Sequence, residues 1–165
     1  MNLVALLSHE KHKHRVLKTL SEIYSSERIC YVSTNKPRDS LLPAIEEWLD
    51  LQYLYLVDAV TKTVEDEPAP LTNGAYVSSP AALDEIFSHV DRLLSTRKFG
   101  AVVFDSLCTL TAYRDADEVR RFIHKLLARV SLAKCEGVFL CVEPTVESWF
   151  IEELHKVADK VIRLE

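Results

Sequence analysis

Glycine is scarce in this sequence, with three residues in 165, at positions 74, 100 and 137. Loops that cradle phosphate rely on glycine to turn backbone N–H groups inward, and no stretch here holds two glycines at the spacing of such a loop. Cysteine is nearly as sparse. Cys30, Cys108, Cys135 and Cys141 show no paired metal-ligand spacing, so they read as small buried hydrophobes of a reducing compartment rather than a metal centre. There is no apolar run long enough to span a membrane and no low-complexity tract. The run at residues 3–7 is short and its basic residues follow it, the wrong order and length for a signal peptide, so a cytoplasmic protein without a membrane partner is expected. A net charge of -5 with no basic tail argues against a dedicated nucleic-acid surface. G-x-S-x-G, C-x-x-C and H-E-x-x-H are all missing, so no nucleophile or metalloprotease signature stands out.

What is present is a regular alternation of strand-like and helix-like segments. Residues 101–105 (AVVFD) form a continuous apolar run behind Gly100, the pattern of a strand buried on both faces. Similar runs stand at 3–7 (LVALL), 29–33 (ICYVS), 53–57 (YLYLV), 138–142 (VFLCV) and 161–164, with a short edge candidate at 75–77. Between them lie stripes of helical spacing. They are Val16, Leu17, Leu20 and Ile23; Leu41, Leu42, Ile45, Trp48 and Leu49; Leu83, Ile86, Phe87, Val90, Leu93 and Leu94; Val119, Phe122, Ile123, Leu126, Leu127 and Val130; and Trp149, Phe150, Leu154 and Val157. The expected helix caps are Asp39 or Ser40, Ser79 followed by Pro80, and Asp115 or Asp117. The pattern predicts one domain over residues 1–165, an α/β three-layer sandwich whose sheet is mostly parallel with helices on both faces.

In an open α/β sheet ligands bind at the carboxyl ends of the strands, and Asp58, Asp105 and Glu143 each stand at one. Asp105 there is a magnesium or water-positioning group, or else a cap and anchor for the loop at 106–114. The loop after the first strand, residues 8–14 (SHEKHKH), is where an NTPase of this architecture holds phosphate. It offers Ser8, Lys11, Lys13 and Arg15 near a helix N-terminus as an anion- or nucleotide-binding set, or as a solvated basic helix start. His9, His12 and His14 lie close together, yet no cysteine or carboxylate constellation completes a metal site, and none is assigned. Residues 61–74 (TKTVEDEPAPLTNG) form a long acidic irregular stretch, a contact surface or a solvated excursion.

VVFDSL followed by TL resembles the Walker B strand of RecA-superfamily ATPases of the KaiC and RadA type, and ICYVSTNKPRDSL is similar to their second strand and loop. The stretch Ser79-Pro80-x-x-Leu83 is similar to segments of archaeal relatives. The resemblance implies a RecA-like P-loop NTPase fold, strand order 3-2-4-5-1-6 without the short edge segment, with Asp105 as the Walker B aspartate and Ser106 as the hydroxyl after it. Two departures stand out. The phosphate loop lacks glycine and the lysine-hydroxyl pair, and Thr34, Asn35 and Lys36 stand where KaiC-type enzymes carry the acid that activates water. Losing cradle and base together removes hydrolysis. The resemblance therefore implies a degenerate, non-enzymatic member with no bound cofactor, working through a protein partner or as a homo-oligomer, with nucleotide or anion sensing as the alternative.

Overall fold

The computed structural model describes residues 1–142 and 146–165, so the strand-end acid Glu143 lies outside the described residues. Seven strands form a single sheet: β1 (Asn2–Leu7), β2 (Ile29–Ser33), β3 (Leu54–Asp58), β4 (Gly74–Tyr76), β5 (Ala101–Asp105), β6 (Glu136–Val142) and β7 (Lys160–Leu164). Their order is β4-β3-β2-β5-β6-β1-β7, and each pairing is parallel. With β4 set aside, this is the order 3-2-4-5-1-6.

Parallel strands need crossovers, and among the described residues five helices supply all but the one from β3 to β4: α1 (Lys13–Ile23), α2 (Arg38–Glu46), α3 (Leu83–Thr96), α4 (Ala116–Leu132) and α5 (Ser148–Val157). The alternation of side chains along each strand divides the core in two. Ala5, Leu7, Tyr31, Val103 and Leu140 face α1 and α2, where Leu17, Leu20, Leu41 and Ile45 cover them. Val4, Leu6, Val32, Phe104, Phe139 and Cys141 face the other way, under Ile86 and Val90 of α3, the stripe of α4, and Phe150 and Leu154 of α5. Each fully buried Leu, Ile, Val or Phe contributes about 1.5–3 kcal/mol relative to exposure, so both faces are needed to hold the sheet.

Helix starts depart from expectation at two places. Pro37, not Asp39 or Ser40, precedes the first residue of α2. Ser79 does not cap α3: its hydroxyl accepts from Ala81 N at 3.1 Å, closing a turn of its own, and the helix begins at Leu83 after Ala82 breaks the helical backbone. Asp115 does cap α4, accepting from Glu118 N at 2.9 Å. The long acidic segment is partly ordered by a 3-10 turn at Thr61–Thr63, and the edge strand follows one residue earlier than expected. Gly74 starts that strand at φ +143°, where an added Cβ would stand 2.0 Å from Leu56 O. Only glycine lets β4 approach β3 this closely.

A buried ion pair at the carboxyl edge of the sheet

The strand register brings Ser33 level with Asp58 on one side and with Asp105 on the other. The two acids do different work. Asp58 is fully buried and organises backbone: it accepts from Val60 N at 2.8 Å, Thr61 N at 2.9 Å and Arg38 N at 3.1 Å, and from the Thr61 hydroxyl. It therefore joins the start of α2 to the loop after β3. Arg38 extends that junction, donating to Ala69 O at 3.0 Å and pairing with Glu65 at 3.2 Å, which pins the acidic segment to the sheet edge.

Asp105 is also fully buried, but its carboxylate does not cap or anchor the following loop. Oδ2 receives Lys13 Nζ at 2.7 Å and the Tyr31 hydroxyl at 2.5 Å, while Oδ1 has no hydrogen-bond partner among the described residues. Burial first, then the Asp105 charge, pushes the Tyr31 phenol well above its ordinary range, so it is a fixed donor. Lys13 reaches inward from the first position of α1 and also meets Glu10 at 3.2 Å; Lys36 meets the same Glu10 oxygen at 2.9 Å. The hydrogen bond from Lys36, with help from Lys13, holds the Glu10 carboxyl below the usual carboxylate range against partial burial. Behind the pair, Thr34 N donates to Asp105 O at 2.8 Å, Ser106 N donates to Thr34 Oγ1 at 3.0 Å, and that hydroxyl donates to Ser106 O at 2.9 Å. The Asp105–Ser106 peptide is cis.

Several N–H groups of the β1–α1 loop are taken up within the chain. Ser8 N donates to Leu164 O at 3.0 Å, Lys11 N to His9 Nδ1 at 3.0 Å and His12 N to His9 O at 3.0 Å, and Lys13 N bonds Glu10 O. These are the N–H groups a phosphate nest would aim at an anion. Of the residues expected at the site, Lys13 and Asp105 come together, while the Ser106 hydroxyl turns to Cys108 Sγ at 2.7 Å. Lys11 and Arg15 are exposed, and Arg15 turns to Glu165 O at 3.4 Å. Among the described residues no group of three His, Cys, Asp or Glu side chains is placed to hold a metal ion. Tyr31, Glu10 and Lys36 complete the cluster and were not singled out as site residues from the sequence. Tyr31 carried one signal: a lone hydroxyl inside the buried strand ICYVS must find a partner, and Asp105 ends the neighbouring strand.

Residues 3–164 match the model of a family of unknown function, DUF7504. The chain belongs to that family. No curated protein matches the sequence of this DUF7504 member. Among solved structures it is similar to a KaiC-like protein of the hyperthermophilic archaeon Pyrococcus horikoshii OT3, with a TM-score of 0.68 and 15% identity over 99% of this chain and 73% of the other. At that identity the likeness establishes the fold, a RecA/KaiC-like sheet, and leaves function to the site. No helix among the described residues is long and apolar enough to cross a membrane.

Proposed function

We propose that this DUF7504 chain is a non-catalytic RecA/KaiC-like domain with a degenerate phosphate-binding loop, a pseudo-ATPase that acts in the cytoplasm through protein–protein contacts, as a homo-oligomer or as partner to an active ATPase. One observation carries the reading. The Lys13 ammonium lies 2.7 Å from Asp105, so the charge of the strand-end acid is neutralised from within the chain. In a working phosphate loop the lysine reaches the outer phosphates and the acid serves magnesium. Here the two groups serve each other. The loop N–H groups at Ser8, Lys11, His12 and Lys13 are likewise taken up internally, so the residues present do not fit a magnesium nucleotide held in the usual cradle. The acidic segment pinned by Arg38 offers a contact surface that is held in place before any partner arrives.

The second reading, a nucleotide or anion sensor without hydrolysis, is favoured by the unpartnered Oδ1 of buried Asp105. It requires Lys13 to leave Asp105 for the ligand. A thermal-shift titration with ATP, ADP and GTP, each with and without magnesium, separates the two. A ligand bound only by the folded chain, at a hundredfold excess over its Kd, adds about 2.7 kcal/mol of stability. Under the first reading no nucleotide moves the transition, and light scattering or co-purification finds an oligomer or partner. A magnesium-dependent rise of several degrees transfers the assignment to the sensor; a monomer at high concentration with no recovered partner refutes the first reading.

A further inference from the structure

On the other side of the β5 terminus from Asp105, two cysteines meet. Cys108 lies in the 3-10 segment Leu107–Ala112 and Cys141 in β6, where its side chain joins the core under α4 and α5. Cys108 Sγ receives Val142 N at 3.3 Å and stands 2.7 Å from Ser106 Oγ, and it accepts a hydrogen bond from the Cys141 thiol. The sulfur also reaches Val142 O at 3.9 Å, so its polar neighbours are the end of β6, the Ser106 hydroxyl and a second cysteine. The surroundings set Cys108 apart from the other cysteines. The hydrogen bond from Cys141, with those from Ser106 and Val142, outweighs burial and brings the Cys108 thiol down to about 6, whereas burial first, then the Cys135 charge, pushes Cys30 up to about 12, and burial is the largest cause that raises Cys135. Cys108 is half-buried, while Cys141 is fully buried. Cys30, Cys135 and Cys141 are buried as expected of small core hydrophobes, whereas Cys108 is half-buried.

We propose that Cys108 and Cys141 form a redox pair in which Cys108 is the hydroperoxide-reactive thiol and Cys141 resolves it to an intramolecular disulfide. In the first step the Cys108 thiolate attacks the distal peroxide oxygen. The S–O bond forms, the O–O bond breaks, and the departing oxygen takes a proton and leaves as water or an alcohol; sulfur loses two electrons and the peroxide gains them. In the second step Cys141 gives up its proton, its sulfur attacks Cys108, the S–S bond forms, and the sulfenic oxygen leaves as water. The donors that steady the thiolate, Val142 N and the Ser106 hydroxyl, hold Cys108 Sγ beside β6, so the resolving sulfur is at hand.

The test is hydrogen peroxide titration of the reduced full chain, read by intact mass and peptide mapping. The expected product is a loss of two hydrogens mapping to a Cys108–Cys141 disulfide. In Cys141→Ser, Cys108 instead gains one oxygen and is trapped by dimedone; in Cys108→Ser, Cys141 stays reduced. Alkylation by iodoacetamide in the native state should modify Cys108 about tenfold faster than Cys30 or Cys135, because it is less buried than either and its thiol is drawn down rather than up. The Ser variants are near-isosteric, and circular dichroism confirms that they fold. Oxidation spread evenly over the four cysteines, a disulfide between chains only, or a Cys108 that stays reduced while Cys30 reacts would each overturn the proposal.

Discussion

Replacing Lys13 by Met keeps most of the side-chain volume and removes the charge that faces Asp105 at 2.7 Å. The remaining carboxylate is fully buried, with the Tyr31 hydroxyl as its sole partner on Oδ2 and none among the described residues on Oδ1. Removing one member of a buried pair typically costs about 3–5 kcal/mol, because the other is left as an uncompensated buried charge. For a domain of this size each kcal/mol lowers Tm by about 2–4 °C, so Lys13→Met should melt about 6–20 °C below the parent. The double variant Lys13→Met with Asp105→Leu removes both charges and should recover most of the loss, since an apolar replacement for a whole pair is often close to neutral. Urea unfolding at neutral pH measures all three proteins. A single variant that loses less than about 1 kcal/mol, or a double variant less stable than the single, would refute the assignment of this contact as a tightly coupled buried pair.

Three further outcomes follow from the same cluster and the sheet edge. Tyr31→Phe deletes a hydrogen bond to a charged acceptor and should cost about 1.5–3 kcal/mol in urea unfolding, with no loss if Asp105 is satisfied by other means. Lys36→Ala should cost less than about 1 kcal/mol because its partner Glu10 is largely solvent-facing, while the Glu10 carboxyl, whose first stabilising contact is lost, titrates at higher pH by NMR. The sign is that of a depressed carboxylate: Glu10 supports the fold above its unfolded-state value, and that support fades as pH falls through its lower folded value. Gly74→Ala places a Cβ against Leu56 O at a backbone angle alanine rarely adopts, so it should destabilise the chain by more than about 1 kcal/mol, with faster amide exchange at Leu56, whose N–H bonds Asn73.

The sheet was legible because its central strands are buried on both faces and therefore read as unbroken apolar runs; AVVF before Asp105 and ICYV before Ser33 are the plainest. Helix bodies were legible for the same reason at the other period, as the α4 stripe shows residue for residue. Helix starts were less so. Ser79-Pro80 has the composition of a cap, but a serine can close a short turn with the same hydroxyl, and here it does. The site was half legible. Asp105 and Lys13 could each be named from position, yet nothing local records that they pair, because the partner of a buried charge is set by which strands become neighbours. Tyr31 was hidden by its strand, and Cys108 read like the other cysteines until the neighbours of its sulfur were known.

The place of β1 between β6 and β7 has a consequence for the order in which the fold can close. Both neighbours of β1 lie far along the sequence from it, so its ladder cannot start until residue 136 and beyond exist, and it is not complete until β7 is present. Lys13 and its helix wait with it, since Asp105 also comes late. Pairings of such long sequence separation are slow to form, because loop-closure entropy is lost before the contacts reward it. Until β6 and β7 are in place, the apolar strand β1 therefore stands with both its edges unpaired.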